Sequence, residues 1–507
     1  MLLLAAGALV LALLVHLSSK TLKRDGITLR RPPDTLPLVG NGIRFLQERQ
    51  KLFAWFSRCE RMFGYETLQI SVPSLPPGVI ISSPSNLEFV FKHESIFAKG
   101  EFFKSRSWDL FGNGIINVDG DLWRLQRKAG LTFLSAANVK SLTADVLPAY
   151  IAESVDYLKA RTDGTVVDLQ FVFHEITTQL MGNMAYNATN STQMEMHADD
   201  DFGVAFDYAS GATAERFQNP LWPVTEVLLG SRFRQTLVLV KQFGGRIVAK
   251  ATRDRKVPVQ SAAPNGEHTG LNPGPVRKPL IEGSLIHSLL DALGDQTLVA
   301  DAALNYLSAG RDTTAQALTW TFYLLMRHPG VLREAIREAE KWSEGLDSTS
   351  VPGVAQVPYI HAVFSEALRL YPPIPFEIKQ AVKATVLPDG TSLPKNSVVV
   401  WCPWAMNRST LTWGPDADEF RPERWIVEGK VVNRSASEFP VFNGGARTCL
   451  GKKLAEQLAI QVIVAMVLAF DFKPATAGER ESKSSLTLPM KGGLPVRVSL
   501  RQDPRSP

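Results

Sequence analysis

From about residue 84 to 250, and again through about 344, apolar residues recur mostly at three- and four-residue spacing, as in ITTQLMGNMAY. That period predicts successive helices. YETLQISVPS and GVIISS, within residues 65–83, set β-branched residues between turn signals and predict strands, as does 376–402 around the turn at Asp389-Gly390. A last long helix is predicted over about 452–470. Between 256 and 283, prolines and glycines break the pattern and predict a flexible surface loop. No strand–helix alternation of the kind that builds a parallel sheet is present. The expected fold class is mostly α with small β-sheets.

The first residues have a different pattern. Residues 2–17, LLLAAGALVLALLVHL, are apolar apart from His16. With Met1, Ser18 and Ser19 the run reaches the length of about 20 residues that a spanning helix needs. Lys20, Lys23, Arg24, Arg30 and Arg31 follow, which places the rest of the chain on the cytosolic side. A cleaved signal peptide would carry its charge first and a small-residue cleavage site after, and neither is present. The expected organisation is a membrane anchor over 1–19, a basic, proline-rich linker over 20–42 and one catalytic domain over 43–507. In the cytosol the sequons at Asn187, Asn190, Asn407 and Asn433 would be silent.

Composition narrows the class. The 507 residues are 45% apolar and 21% charged, so the chain can bury a large core, and wholesale disorder and collagen are excluded. Cys59, Cys402 and Cys449 are too few for a disulfide framework and suit a reducing compartment. One long apolar run excludes a multi-span channel or transporter. A formal charge of +5 is modest over this length, and no nucleic-acid partner is expected.

The candidate chemistry lies near the C-terminus. Residues 442–451 read FNGGARTCLG and precede the amphipathic KKLAEQLAIQVIVAM, so Cys449 sits just before a helix N-terminus, where free amides and the helix dipole favour a thiolate. Gly444, Gly445 and Gly451 would let backbone approach a flat ligand closely, and Arg447 offers a cation. A cysteine so placed can be an axial haem ligand. It can equally be a buried structural cysteine in a glycine turn.

FNGGARTCLG resembles the F-x-x-G-x-R-x-C-x-G haem-binding loop of the cytochrome P-450 family at every fixed position. Phe442, Gly445, Arg447, Cys449 and Gly451 fill the motif, and the resemblance implies a haem b with Cys449 as thiolate ligand. Glu366-Ala-Leu-Arg369 has the spacing of the family's ExxR motif. Alone, such an i, i+3 pair is usually a solvated salt bridge. FRPERW, residues 420–425, resembles the segment whose arginine completes a buried triad, here Glu366, Arg369 and Arg424, with Trp425 where a Phe is more usual. Trp123 and Arg127 resemble the W-x-x-x-R pair that, with Arg447, faces the haem propionates. Lys379 stands where relatives often carry another arginine.

Ala309-Gly310-Arg311-Asp312-Thr313-Thr314, inside a helical run, resembles the family's oxygen-activation motif. Asp312 and Thr313 would act as acid and proton-relaying hydroxyl, with Ala309 and Gly310 leaving room above the iron. On its own the stretch also reads as a capped helix end. By the same resemblance the substrate pocket would be lined by Phe103, Trp108, Phe111, Phe206, Leu307, Ile374, Phe376 and Leu488, apolar with few fixed charges.

The resemblance covers nearly all of residues 30–500 and implies a haem-thiolate monooxygenase of cytochrome P-450 fold at the endoplasmic reticulum membrane, single-pass and facing the cytosol. Its electrons would come from NADPH through a flavoprotein reductase, docking on Arg124, Lys128, Lys140, Lys452 and Lys453. Asp119-Gly-Asp-Leu-Trp, AGRDTTA and AMNRSTLTWGPDADEFRPERW look most like fungal and plant members that hydroxylate fatty acids and alkanes. A lipophilic substrate, first a long-chain fatty acid or alkyl chain, is therefore expected to react with O2. The alternatives are a polycyclic or polyketide secondary metabolite, a haem-thiolate isomerase or dehydratase acting on peroxides, and a non-catalytic haem sensor or carrier.

Overall fold

A computed structural model describes residues 21–501 apart from 38, 73–74, 187–199, 257–282 and 345–349, together with residues 7 and 10. Most of the expected anchor, the loop predicted between 256 and 283, and two of the sequons lie outside the described residues. Among the described residues, no helix is long and apolar enough to cross a membrane.

The helices that build the site are α1 (Arg49–Phe63), α2 (Pro84–Lys92), α3 (Gly100–Phe111), α4 (Gly120–Phe133), α5 (Leu169–Tyr186), α6 (Gln296–Arg327), α7 (Pro358–Leu370) and α8 (Lys452–Ala469). The 32-residue α6 runs through the core. It starts where the Asp295 carboxylate accepts from the amides of Thr297 and Leu298, meeting the donors a helix start leaves free. From Thr314 to Leu325 every residue is buried, with Trp320 and Phe322 almost fully enclosed. It packs against α5, α7 and α8.

Beside the helices lies a five-stranded sheet, β1 (Leu68–Ile70), β2 (Gly78–Ile80), β3 (Phe97–Ala98), β4 (Glu377–Ala381) and β5 (Val398–Trp401), in the order β1-β2-β5-β4-β3. β2 and β5 are parallel, with Gly78 opposite Val398, and the other pairs are antiparallel. The expected strand regions are thus present. The short strands Phe97–Ala98 and Val166–Asp168 fall inside the stretch read as helical, too brief to interrupt a helical window.

The linker expected over 20–42 is corrected from Leu22 onward. Leu22 and Leu29 are buried, and Lys23–Arg24 pairs with Thr391–Leu393. The Leu22 amide donates to Gln69 Oε1 at 2.9 Å, and the Gln69 amide donates to the Arg30 carbonyl at 2.8 Å. Burial of the leucines and strand pairing hold this segment on the body, where proline stiffness alone predicted a spacer.

Candidate active site

The loop before α8 folds back on itself. The Cys449 amide donates to the Phe442 carbonyl at 2.8 Å, and Thr448 Oγ1 donates to the Gly445 carbonyl at 2.8 Å. Gly445 has φ +61°, and a Cβ there would stand 2.0 Å from the Phe91 carbonyl oxygen, so only glycine fits. At Gly444 the added Cβ would strike the Phe91 ring. These two glycines therefore serve the close packing of the loop on α2, not the approach to a flat ligand expected of them. Gly451 alone of the three has open space where a Cβ would stand. Cys59 and Cys402 are buried, whereas the Cys449 side chain is exposed. Its deep position pushes the thiol up from its ordinary value, while the amides of Gly451 and Lys452 and the Arg127 guanidinium pull it the other way.

Cations gather beside this loop. Arg127 Nη1 donates to the Thr448 carbonyl at 3.0 Å. Arg447 donates to Glu94 at 3.0 Å, Asp119 at 2.9 Å and the Val118 carbonyl, and its guanidinium lies 4.1 Å from the centre of the Trp123 ring. Trp123, Arg127 and the loop arginine thus lie together. Lys379 is 2% exposed, and its Nζ has no hydrogen-bond partner among the described residues. Burial, then Lys99 and Arg447, push it down to about 8. A buried ammonium without an acceptor is costly, and one among further cations calls for an anion. A flat ligand carrying carboxylates, as haem does, meets that demand, so the residues present fit the group.

On α6, neighbouring positions divide the work. Ala309 and the Thr313 hydroxyl keep exposed surface four residues apart on one face, and Thr313 Oγ1 donates to the Ala309 carbonyl at 2.7 Å. Gly310 faces elsewhere: a Cβ there would stand 2.3 Å from Met181 Sδ on α5. The reason for glycine at 310 is thus helix packing, which corrects the expectation that it opens room above the iron. Asp312 is buried and accepts from Arg311 Nη1 at 2.7 Å, and Arg311 also reaches Asp207 at 3.2 Å. Burial pushes Asp312 up to about 7, against the opposing pull of Arg311. Its neighbour His174, at 3.9 Å, is pushed down to about 3 by burial and then by Arg311, so it is neutral. Asp312, His174, Asp207, Arg311 and Thr487 line a polar cleft, and Thr313 is not part of that lining.

Beneath the loop, Glu366 and Arg369 of α7 are fully buried. Arg369 forms a two-pronged pair with Glu366, at 2.8 and 2.7 Å, and donates to the carbonyls of Asn407, Ala417 and Glu419. Arg424 Nε reaches Glu366 Oε1 at 2.8 Å. Trp425 adds a donor that its motif position gave no sign of, its indole Nε1 bonding to Glu366 Oε2 at 2.8 Å.

A separate apolar cavity lies between α1, α3, the sheet and the end of the helix Asp200–Gln218. Of the pocket residues expected from sequence, Phe103 and Phe376 line it. Phe111, Phe206, Leu307 and Leu488 are packed in the main core instead, and Ile374 is half-buried outside this lining. Leu488 is fixed there by its backbone, which donates to Gln316 Oε1 and accepts from Trp320 Nε1. Trp108 is 46% exposed on the outer side of α3, because Ser107, Leu110 and Phe111 take the inner side. Arg49 and Arg106 stand in the wall of this separate cavity. A charge on a helix reads as solvated unless its neighbours in space are known.

The sequence matches the cytochrome P450 family over residues 31–495. It is 28% identical to Cytochrome P450 94A1 of Vicia sativa, with 92% of this chain and 90% of that protein covered. Identity is 31% to Cytochrome P450 monooxygenase cyp1 of Mycosarcoma maydis, covering 93% and 76%, and 30% to Cytochrome P450 94C1 of Arabidopsis thaliana, covering 88% and 89%. With the thiol loop, cation cluster and buried triad in place, the chain belongs to the cytochrome P450 family, as a monooxygenase that uses haem with a cysteine thiolate ligand and NADPH-derived electrons passed on by a reductase.

Proposed function

We propose that this monooxygenase hydroxylates a long alkyl chain, foremost a long-chain fatty acid at or near its terminus, while residues 1–19 hold the catalytic domain on the cytosolic face of the endoplasmic reticulum membrane. The observation that carries the reading is the position of the apolar cavity. Phe45 and Pro220 in its wall adjoin exposed apolar residues, Ile43 and Leu46 on one side and Leu221, Val224, Leu228 and Leu229 on the other. Exposed apolar residues beside a cavity favour contact with a membrane, which supports entry of a lipid-dissolved chain from that side. Burying each methylene contributes about 0.8 kcal/mol, roughly fourfold in affinity. Titration of the substrate-induced spin-state change along a series of fatty acids should therefore show affinity climbing with chain length until the cavity is full. A flat response, beside a strong one to a polycyclic ligand, would turn the reading to a polycyclic secondary metabolite.

Haem, when bound, supplies the activation of O2 and the oxidation of the C–H bond, with the second oxygen atom leaving as water. The chain supplies the rest. Cys449 would hold the iron, and Lys379, with Arg127 and Arg447 beside it, would meet the propionates. Asp312, with its proton held up to about 7, collects protons from the polar cleft, and Thr313 presents a hydroxyl on the face it shares with Ala309. Thr313→Ala should keep haem and substrate binding while product formed per NADPH consumed falls by about tenfold or more, the electrons going to peroxide or excess water. Unchanged coupling would remove Thr313 from the route.

The reductase docks on the loop side. Arg124 and Lys452 are partly answered by Asp121 and Glu456, so exposed Lys128, Lys140 and Lys453 carry the cationic face.

A further inference from the structure

The apolar cavity holds two cations that its own wall does not answer. Arg49 and Arg106 line it at 7% and 6% exposure. Arg49 Nη1 donates to the Ser485 carbonyl and, at 3.4 Å, to that of Lys483, and its Nε is without a partner. Arg106 Nη1 donates to the Phe102 carbonyl at 2.9 Å and to Ser105 Oγ at 3.4 Å, and its Nε is likewise unpartnered. Among the described residues neither forms an ion pair. Rings fill the remaining space, with Phe53 and Phe376 against Arg49 and Phe102 against Arg106. Arg216 shows the contrast. It is as buried, and its Nη1 donates to the Arg106 carbonyl at 3.1 Å, yet Asp109 and Glu226 neutralise it at 2.7 and 2.5 Å.

Burial pushes Arg49 down to about 9 and Arg106 down to about 10, so both remain charged at neutral pH. A guanidinium out of water without a counter-ion is unfavourable, and its planar donors match a carboxylate. We propose that Arg49 and Arg106 form a binding site for the carboxylate of a long-chain acid, whose alkyl chain lies along the same cavity. This rests on the alkyl-chain reading given above and adds to it the head group and the sense of binding. The cavity lining includes no residue of the 442–451 loop and none of the Ala309–Thr313 face. An acid held here keeps its carboxyl end away from the reacting centre, so only a chain long enough to extend beyond this cavity offers a carbon for attack, and that carbon lies toward its methyl end.

The test compares a saturated long-chain acid with the primary alcohol of equal length. Each is bound to the full-length, haem-loaded enzyme and followed by equilibrium dialysis and by the spin-state change. The acid should bind about tenfold or more tightly than the alcohol, as charge-assisted hydrogen bonds require. In Arg106→Gln, and in Arg49→Gln/Arg106→Gln, that preference should shrink to about twofold or less with the alcohol's affinity kept. Arg106→Lys should restore part of it. Arg49 also ties down the Ser485 carbonyl, so the single Arg106 variant and the unaltered enzyme decide the matter if the double variant does not fold. Equal binding of acid and alcohol by the unaltered enzyme, or a preference that survives in Arg106→Gln, would overturn the carboxylate site and leave the alkyl-chain reading standing. Binding of neither, with a polycyclic ligand bound, would overturn both.

Discussion

Cys449→Ala is expected to abolish the red-shifted Soret band of the reduced CO complex and to bring monooxygenase turnover down to background, while Cys59→Ala and Cys402→Ala leave both in place. The three thiols differ in their surroundings. Burial pushes Cys59 and Cys402 up to about 12, so neither is a thiolate at neutral pH, and each is 2% exposed. Cys449 alone of the three is exposed, just before α8; desolvation raises its thiol too, but the amides of Gly451 and Lys452 and the Arg127 guanidinium oppose that rise. The substitution removes only the sulfur. The Cys449 amide keeps its bond to the Phe442 carbonyl, and Gly445 keeps its turn against α2. The variant should therefore retain its helical circular dichroism, which separates loss of a ligand from loss of the fold. A thiolate-type band surviving in Cys449→Ala would place the ligand elsewhere.

What was legible in the sequence was chemistry fixed by local spacing. Glu366 and Arg369 share a helical face because they are three apart, and Phe442, Arg447 and Cys449 lie within one turn, so their relation survives without a structure. Arg424 joins them only through a motif 58 residues on, and resemblance supplied that link. The helices were legible from their period, whereas the pairing of β2 with β5 joins distant segments and leaves no local mark. The indole bond of Trp425, the isolation of Lys379 and the placing of Arg49 and Arg106 in one cavity wall were not legible, because each depends on what surrounds a side chain across the fold. The same holds for which apolar side chains reach a given cavity. Trp108 and Phe111 lie three apart on α3, near enough in helical phase to be read alike, yet one is exposed and the other is buried.

Glu366→Ala is expected to be the most destabilising single substitution in the scaffold, by about 3–5 kcal/mol, the scale for removing one partner of a buried ion pair. The carboxylate accepts from Arg369 twice, from Arg424, from the Trp425 indole and from the Arg421 amide at 3.0 Å. Burial alone would raise its proton affinity, but Arg369 and Arg424 hold it below the ordinary carboxylate value. Since the folded-state value is depressed, its contribution to stability is present in full above the ordinary carboxylate range and is lost as pH falls through the depressed value. Without the carboxylate, Arg369 keeps three carbonyl acceptors but loses its counter-ion at 0% exposure. That loss is a large share of a stability of about 5–15 kcal/mol, so little folded protein should be recovered. Trp425→Phe, which keeps the ring and removes one donor to a charged acceptor, should cost less, about 1.5–3 kcal/mol. Denaturant midpoints of the holoenzymes check both. If Glu366→Ala unfolds no earlier than Trp425→Phe, the carboxylate is not what holds α7 to the 416–425 segment.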